Sequence, residues 1–111
     1  MVTMHGLFDL RPEITAEIYG AAFEAFCRNL QGQGYVTDWR FMRRSPHPGY
    51  DRNPPDTAYY VSIDFPDRET ADACYRYVAA DQEPLRSLHR TMNSKVVPTT
   101  TRFFLFEAAP G

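Results

Sequence analysis

The stretch Ala58-Tyr-Tyr-Val-Ser-Ile-Asp-Phe-Pro-Asp67 decides the fold of this chain. Its first eight residues place apolar side chains at every second position, which is typical of a β-strand because successive side chains point to opposite faces. Pro66 and Asp67 then indicate the start of a helix, with Asp67 as the N-cap. The stretch therefore predicts a strand over Ala58–Phe65 that leads directly into a helix.

Further elements follow on either side of this stretch. Apolar residues at helical spacing predict a long helix upstream, and Pro84 should break the downstream helix. A short helix carrying Leu85, Leu88 and Met92 should follow the break. The remaining predicted elements are a strand over Thr3–Leu10, a helix over Glu13–Leu30, a strand over Tyr35–Arg44, a long Pro-rich hairpin loop over Ser45–Thr57 and a strand over Thr99–Glu107.

The order strand–helix–strand–strand–helix–strand is the ferredoxin-like βαββαβ plan of an α+β protein, with a four-stranded antiparallel sheet. The predicted strands carry apolar residues on both faces, as in the run Phe103-Phe-Leu-Phe106. Helices cover one face, so the other face needs a cover, and a second copy of the chain is the simplest one. We therefore expect a homodimer that buries aromatic residues of the second and fourth strands, among Trp39, Phe41, Phe104 and Phe106.

Length and charge limit the classes of function. A chain of 111 residues favours a single domain over 1–111. The net charge of −2 without a long basic run argues against nucleic acid as a partner. We expect no membrane span, because no apolar stretch is long enough. The start Met1-Val-Thr-Met-His5 lacks the pattern of a secretory signal, so we expect a cytoplasmic protein.

Motifs for cofactors and metals are missing from the sequence. No GxGxxG, P-loop or HExxH motif occurs, and we expect no cofactor and no metal. Cys27 and Cys74 form no CxxC pair and should be small buried hydrophobic residues within helices. His47 and His89 have no partner at metal-ligand spacing, so we expect both to be solvated. The strand Ala58–Phe65 also lacks the glycine and basic residue of an RNA-recognition domain.

Three segments resemble the stress-responsive dimeric α/β-barrel proteins. His5-Gly-Leu-Phe8 is similar to their first strand, Tyr60–Tyr75 to their third strand and second helix, and the break at Asp81-Gln-Glu-Pro84 to the break before their short helix. The resemblance covers nearly the whole chain, although the 45–57 loop departs from the compact pattern. It implies a homodimer whose two sheets close into a barrel around a cavity. The wider superfamily includes antibiotic-biosynthesis monooxygenases and haem-degrading enzymes, so no single activity is implied.

His5 is the first candidate for chemistry. If the first and third strands pair in matching register, His5 lies near Ser62 or Asp64. A His5–Asp64 pair facing the barrel lumen would make His5 a candidate general base, because the carboxylate favours the protonated imidazole. The alternative is a histidine held by a structural hydrogen bond.

A small-molecule cavity is the second hypothesis for the lumen. Its candidate ligand-binding residues are Asp9, Trp39, Tyr60 and Ser62, since aromatic side chains with a few polar groups are typical of ligand cavities. Trp39 and Arg40 must point to opposite faces, and we expect Trp39 to face inward. The alternative is that these residues form barrel core and dimer interface.

Three functions remain open at this point. The first is a protein that binds a small apolar or aromatic molecule in the barrel cavity. The second is a cofactor-free oxygenase or lyase that acts on an aromatic or polyketide-like substrate, with His5 as proton acceptor. The third is a structural, stress-associated module whose barrel is filled by side chains.

Overall fold

The computed structural model describes residues 1–110. Its strands are β1 (Val2–Phe8), β2 (Asp38–Arg43), β3 (Tyr59–Phe65) and β4 (Arg102–Glu107). Its helices are α1 (Ala16–Gly32), α2 (Arg68–Ala79) and α3 (Leu85–Asn93), and a short 3-10 turn, Pro98–Thr100, precedes β4. The strands form one sheet in the order β2-β3-β1-β4 with every pair antiparallel. The predicted ferredoxin-like α+β fold is confirmed.

Local signals set several of the element ends. Asp67 caps α2 as predicted, because its carboxylate accepts the Thr70 N–H at 2.7 Å. The helix predicted from Glu13 begins three residues later, at Ala16, because the Thr15 hydroxyl accepts the Ile18 N–H and acts as the N-cap. The break around Pro84 is confirmed, since it separates α2 from α3.

The second strand begins later than the sequence predicts. Residues after α1 still close the end of that helix: Gly34 adopts a φ of 85°, and the Tyr35 N–H donates to the Leu30 carbonyl at 3.1 Å. A positive φ of this kind is typical of the residue that follows a helix. The chain enters the sheet at Asp38 and not at Tyr35, because residues 33–35 complete the helix end.

The helix-covered face of the sheet holds the core. Phe8, Leu30, Leu85 and Cys27 are fully buried there, with β1 and β3 at the centre of the sheet. Both cysteines are free and buried, as predicted. This core lies between one layer of sheet and one layer of helices, as the fold class requires.

Side chains on the opposite face of the sheet have no helix over them, and we call this surface the open face. Its members follow from the strand register, since cross-strand partners share a face and alternate residues switch it. They are Thr3, His5, Leu7, Asp38, Arg40, Met42, Tyr60, Ser62, Asp64, Arg102, Phe104 and Phe106.

The expectation that Trp39 faces away from the helices is wrong. Trp39 pairs with the core residue Ile63 and so lies on the helix-covered face, where its Nε1 donates to Glu24 of α1 at 2.6 Å. The Arg28 guanidinium lies 5.8 Å from the Trp39 ring centre. Phe41 shares this face, so the predicted burial of Trp39 and Phe41 in an open-face dimer contact is also wrong. Of the two neighbours Trp39 and Arg40, Arg40 is the one that lies on the open face.

The loop between β2 and β3 is held by its own polar groups. The Arg44 guanidinium and the Asp51 carboxylate are 3.0 Å apart. His47 is exposed as predicted, yet its Nδ1 accepts the N–H groups of Gly49 and Tyr50, each at 3.0 Å. His47 therefore shapes a turn of this loop.

Candidate functional site

A cavity of about 500 Å³ lies between the helix-covered face of the sheet and the three helices. We call it the helix-side cavity; its lining includes Met4, Phe8, Phe26, Val61, Cys74 and Phe103. The volume falls within the roughly 300–1,000 Å³ of typical small-molecule sites, which are mostly apolar with a few polar groups. The sequence predicts a ligand cavity in the barrel lumen, whereas this cavity lies on the other side of the sheet.

Small residues on α2 and an open edge at β4 explain the cavity. Ala71 and Cys74 are the buried side chains of α2, and both line the cavity without filling it. On the opposite wall, Phe103 and Leu105 line the cavity while remaining 57% and 40% exposed. The helix-side cavity therefore reaches solvent beside β4.

His89 on α3 is the titratable imidazole in the cavity wall. Its ring is half-buried and stacks on Phe26, with ring centres 5.3 Å apart, and its Nε2 lies 3.0 Å from the Asn93 amide nitrogen. Burial, the larger effect, lowers the pKa of His89, and the negative charge of the nearby Asp81 acts in the opposite direction. The expectation of a solvated His89 is wrong. Leu85, His89 and Met92 recur at i, i+4 and i+7, and this spacing could have placed His89 on the buried side of the helix.

The thiols in this region stay protonated. Burial raises the pKa of Cys74 to about 11, and it also raises the pKa of Cys27. A thiol is a nucleophile only as its thiolate, so neither side chain is activated at neutral pH. Cys74 serves the cavity as a small apolar surface.

His5 occupies the centre of the open face, with a different partner from the one predicted. It lies opposite Ser62 in the register, as expected, but its Nδ1 is 2.6 Å from the Tyr60 hydroxyl. Asp64 instead accepts the hydroxyl of Thr3, its direct cross-strand partner, at 2.7 Å. The expected His5–Asp64 pairing is therefore wrong, because the long Tyr60 side chain reaches His5 across a diagonal of the ladder.

Aromatic rings surround His5 on the β4 side. The Phe104 ring stacks at 5.8 Å and the Phe106 ring lies edge-on at 5.2 Å. Arg40 lies on the same face, opposite the buried Ser62. The open face thus presents a His5–Tyr60 pair within an apolar patch that is exposed on β4.

The predicted ligand set does not come together. The Asp9 carboxylate accepts the Ala58 N–H at 2.7 Å, and its own N–H donates to the Thr100 hydroxyl at 2.9 Å, so Asp9 joins the ends of three segments. Trp39 lies on the helix-covered face, while Tyr60 and Ser62 lie on the open face. None of these four residues is part of the helix-side cavity.

Two further structural findings concern metals and membranes. Within residues 1–110, no three His, Cys, Asp or Glu side chains are grouped so that they could hold a metal ion. In the same range, no helix has the length and apolar character to cross a bilayer.

Solved structures similar to this one share its fold at low sequence identity. SnoaB, a cofactor-independent oxygenase from Streptomyces nogalater, is 14% identical with a TM-score of 0.67, over 99% of this chain and 94% of SnoaB. A dimeric ferredoxin-like protein of unknown function from Jannaschia sp. CCS1 is 13% identical with a TM-score of 0.64, over 96% and 98% of the two chains. An antibiotic biosynthesis monooxygenase is 15% identical with a TM-score of 0.62, over 99% and 100%. These likenesses confirm the ferredoxin-like part of the resemblance at the level of fold.

Sequence comparison gives a family. No protein with a curated description matches the chain. Residues 1–110 match the family described as "Family of unknown function (DUF6614)". Because the match covers all but one residue, the chain belongs to this family.

Proposed function

We propose that this protein binds a small, largely apolar or aromatic molecule in the helix-side cavity. The observation that carries the proposal is the cavity itself, about 500 Å³ in volume, walled by core aromatic residues and open beside β4. When a ligand covers apolar surface of this kind and displaces water from it, the free energy of binding becomes more favourable by about 25 cal/mol per Å² buried. The filled-barrel hypothesis concerns the space between two sheets, which the helix-side cavity does not occupy.

We further propose that the protein is a homodimer joined through the open face. Phe104 and Phe106 are neighbours on this face, with ring centres 5.5 Å apart, and are 40% and 63% exposed. Met42, at the other edge of the same face, is 51% exposed. Exposed apolar side chains that lie together typically mark an interface. Similar structures described as dimeric support a second copy of the chain as the cover.

Native mass spectrometry of the protein as purified from cells tests both proposals. We expect a mass of two chains plus a small adduct. Ala71→Phe should fill the cavity and remove the adduct, because Ala71 is buried in its wall. Ala79→Phe, on the exposed end of the same helix, is the matched control and should retain it. A wild-type dimer that carries no adduct, and binds no aromatic probe in solution, would argue for a filled structural module.

A cofactor-free oxygenase or lyase is the second candidate, and it is favoured by one observation. SnoaB, which shares the fold, is described as a cofactor-independent oxygenase. His5 cannot act on a ligand in the helix-side cavity, because it lies on the opposite face of the sheet. We propose a catalytic role for His5 and Asp64 only for a substrate held between the open faces of two chains.

Oxygen uptake separates the two candidate functions. The molecule recovered from the native complex is added back to the protein in excess, and dissolved oxygen and product masses are followed. Turnover that survives His5→Phe but not Ala71→Phe would place the reaction in the helix-side cavity. Binding without any change in oxygen or in the mass of the molecule would contradict the oxygenase and leave the binding function standing.

A further inference from the structure

We propose that His89 is the recognition residue of the helix-side cavity, where its imidazole hydrogen-bonds a hydroxyl or carbonyl oxygen on a neutral aromatic ligand. Asn93 acts as a positioning residue that holds the His89 ring. The inference rests on the proposed binding function and specifies the chemistry of the ligand.

The wall of the cavity is polar in one region. Its sheet and α1 side is built from residues such as Met4, Phe8, Phe26 and Val61, whereas His89 and Asn93 come from one face of α3, four residues apart. The other lining side chains with polar groups are Asp72 and Tyr75 on α2 and Tyr19 on α1. Asp72 pairs with Arg68 at 3.1 Å and Tyr75 is 76% exposed, so both lie at the rim. Tyr19 is 3% exposed, and its ring packs against Phe8 and Phe41, with ring centres 5.0 Å apart in each case. We therefore assign the partner of a ligand oxygen to His89, the half-buried polar side chain of the lining.

The Asn93 contact sets which nitrogen of His89 is protonated. The Asn93 amide nitrogen can only donate, so at 3.0 Å it makes His89 Nε2 the acceptor. The neutral ring then carries its proton on Nδ1, which is a donor. Stacking on Phe26 restrains the ring plane at the same time. His89 thus offers one oriented N–H group next to an apolar wall.

The surroundings select a neutral ligand with an aromatic body. None of the lysine or arginine side chains in residues 1–110 lines the cavity, so a charged carboxylate or phosphate would lose hydration without gaining a cation. Burial lowers the pKa of His89, which keeps the imidazole uncharged at neutral pH. A phenol, quinone or aromatic ketone meets both conditions, because it presents one oxygen on a flat apolar frame.

A matched pair of probes tests the inference. Dissociation constants of 2-naphthol and 2-methylnaphthalene, which differ by a hydroxyl against a methyl group of similar size, are measured by equilibrium dialysis for wild type and variants. We expect the preference for 2-naphthol to fall about fivefold in His89→Phe, the factor expected for one neutral hydrogen bond. Phenylalanine keeps the stacking on Phe26, so 2-methylnaphthalene should still bind. His89→Gln, which retains a donor and an acceptor, should restore part of the preference.

Controls distinguish the possible failures. Thr91→Val, on the exposed side of α3, should leave the preference unchanged. Nitrogen chemical shifts of the His89 ring should report the Nδ1–H tautomer in wild type and a mixture of tautomers in Asn93→Leu. Equal preferences in wild type and His89→Phe, with both probes bound, would overturn the role of His89 while the binding function stands. Failure of wild type to bind either probe would overturn the binding function and this inference together.

Discussion

The Phe103 ring lies directly over Gly6, so close that a Cβ atom on Gly6 would meet Phe103 Cε1 at 2.7 Å and Val61 Cγ2 at 2.9 Å. Gly6 and Phe103 are cross-strand partners in β1 and β4. Glycine at this position lets an aromatic ring of the edge strand cover the central strand and form part of the cavity wall. The relationship accounts physically for the glycine within the strand motif His5-Gly-Leu-Phe8.

Gly6→Ala should therefore destabilise the protein by about 1–3 kcal/mol, the usual cost of overpacking. Phe103 can swing outward because it is exposed, but Val61 is a core residue and cannot easily move. Urea denaturation at fixed protein concentration measures the free energy of unfolding. Gly32→Ala is the control, since no atom lies within 4 Å of its added Cβ, and it should be neutral or slightly stabilising. Equal stability of both variants would contradict this account of Gly6.

Thr15→Ala should lower the free energy of unfolding by about 1 kcal/mol, because α1 loses the hydroxyl that accepts the Ile18 N–H. Thr15→Ser keeps the acceptor and should stay close to wild type. The measurement is again chemical denaturation followed by far-ultraviolet circular dichroism. A Thr15→Ala variant as stable as wild type would mean that α1 is capped in another way.

Phe106→Arg should convert the proposed dimer to a monomer, because it places a charge in the apolar patch of the open face. Sedimentation equilibrium gives the mass. Ile18→Arg is the matched control: Ile18 is a similarly exposed apolar residue on α1, away from the open face, and its variant should keep the wild-type mass. A wild-type monomer, or a Phe106→Arg dimer, would contradict the proposed interface.

Protonation of His89 should make the protein less stable as the pH falls below about 6.5, the ordinary pKa of histidine. Burial lowers the pKa in the folded state, so the unfolded chain binds the proton more readily. This contribution to stability is complete above pH 6.5 and is lost as the pH falls through the folded pKa. Asp51, Asp67 and Glu83 have lowered carboxyl pKa values and act only at more acidic pH.

His89→Phe should flatten this part of the profile of unfolding free energy against pH. The comparison is made between pH 7.5 and 5.5, where carboxylates stay charged. A variant whose profile keeps the wild-type slope would show that another group causes the pH dependence.

The order of elements could be predicted from the sequence because its signals are local. The N-cap of α2 needs only Asp67 and the nearby Thr70 N–H, and Pro84 interrupts a helix whatever that helix packs against. Start positions were less accurate where two signals competed, as at Thr15. The start of the second strand was also misplaced. Tyr35 fits the alternating pattern of that strand, but in the structure residues 33–35 close the end of α1.

The facing of β2 could not be predicted, because alternation defines two faces without saying which one the helices cover. Register against Ile63 and a hydrogen bond to Glu24 decide the matter for Trp39, and both are contacts between distant segments. The partner of Asp64 could not be predicted for a similar reason. Asp64 accepts the Thr3 hydroxyl and His5 contacts the Tyr60 hydroxyl, and both pairings depend on how far each side chain reaches in the folded sheet. The cavity depends on the gap that Ala71 and Cys74 leave beneath α2, which no motif records.

Strand β4 contributes to two surfaces, because its successive side chains point to opposite faces of the sheet. The side chains of Phe103 and Leu105 lie on the face that holds the cavity, and those of Phe104 and Phe106 lie on the open face. Phe104 also contributes to the cavity lining, so one short edge strand serves both surfaces. If a ligand in the helix-side cavity moves the backbone of β4, it also moves the proposed dimer contact. The two proposed equilibria are then thermodynamically linked, and the linkage is reciprocal: the factor by which the ligand changes subunit affinity equals the factor by which the partner subunit changes ligand affinity.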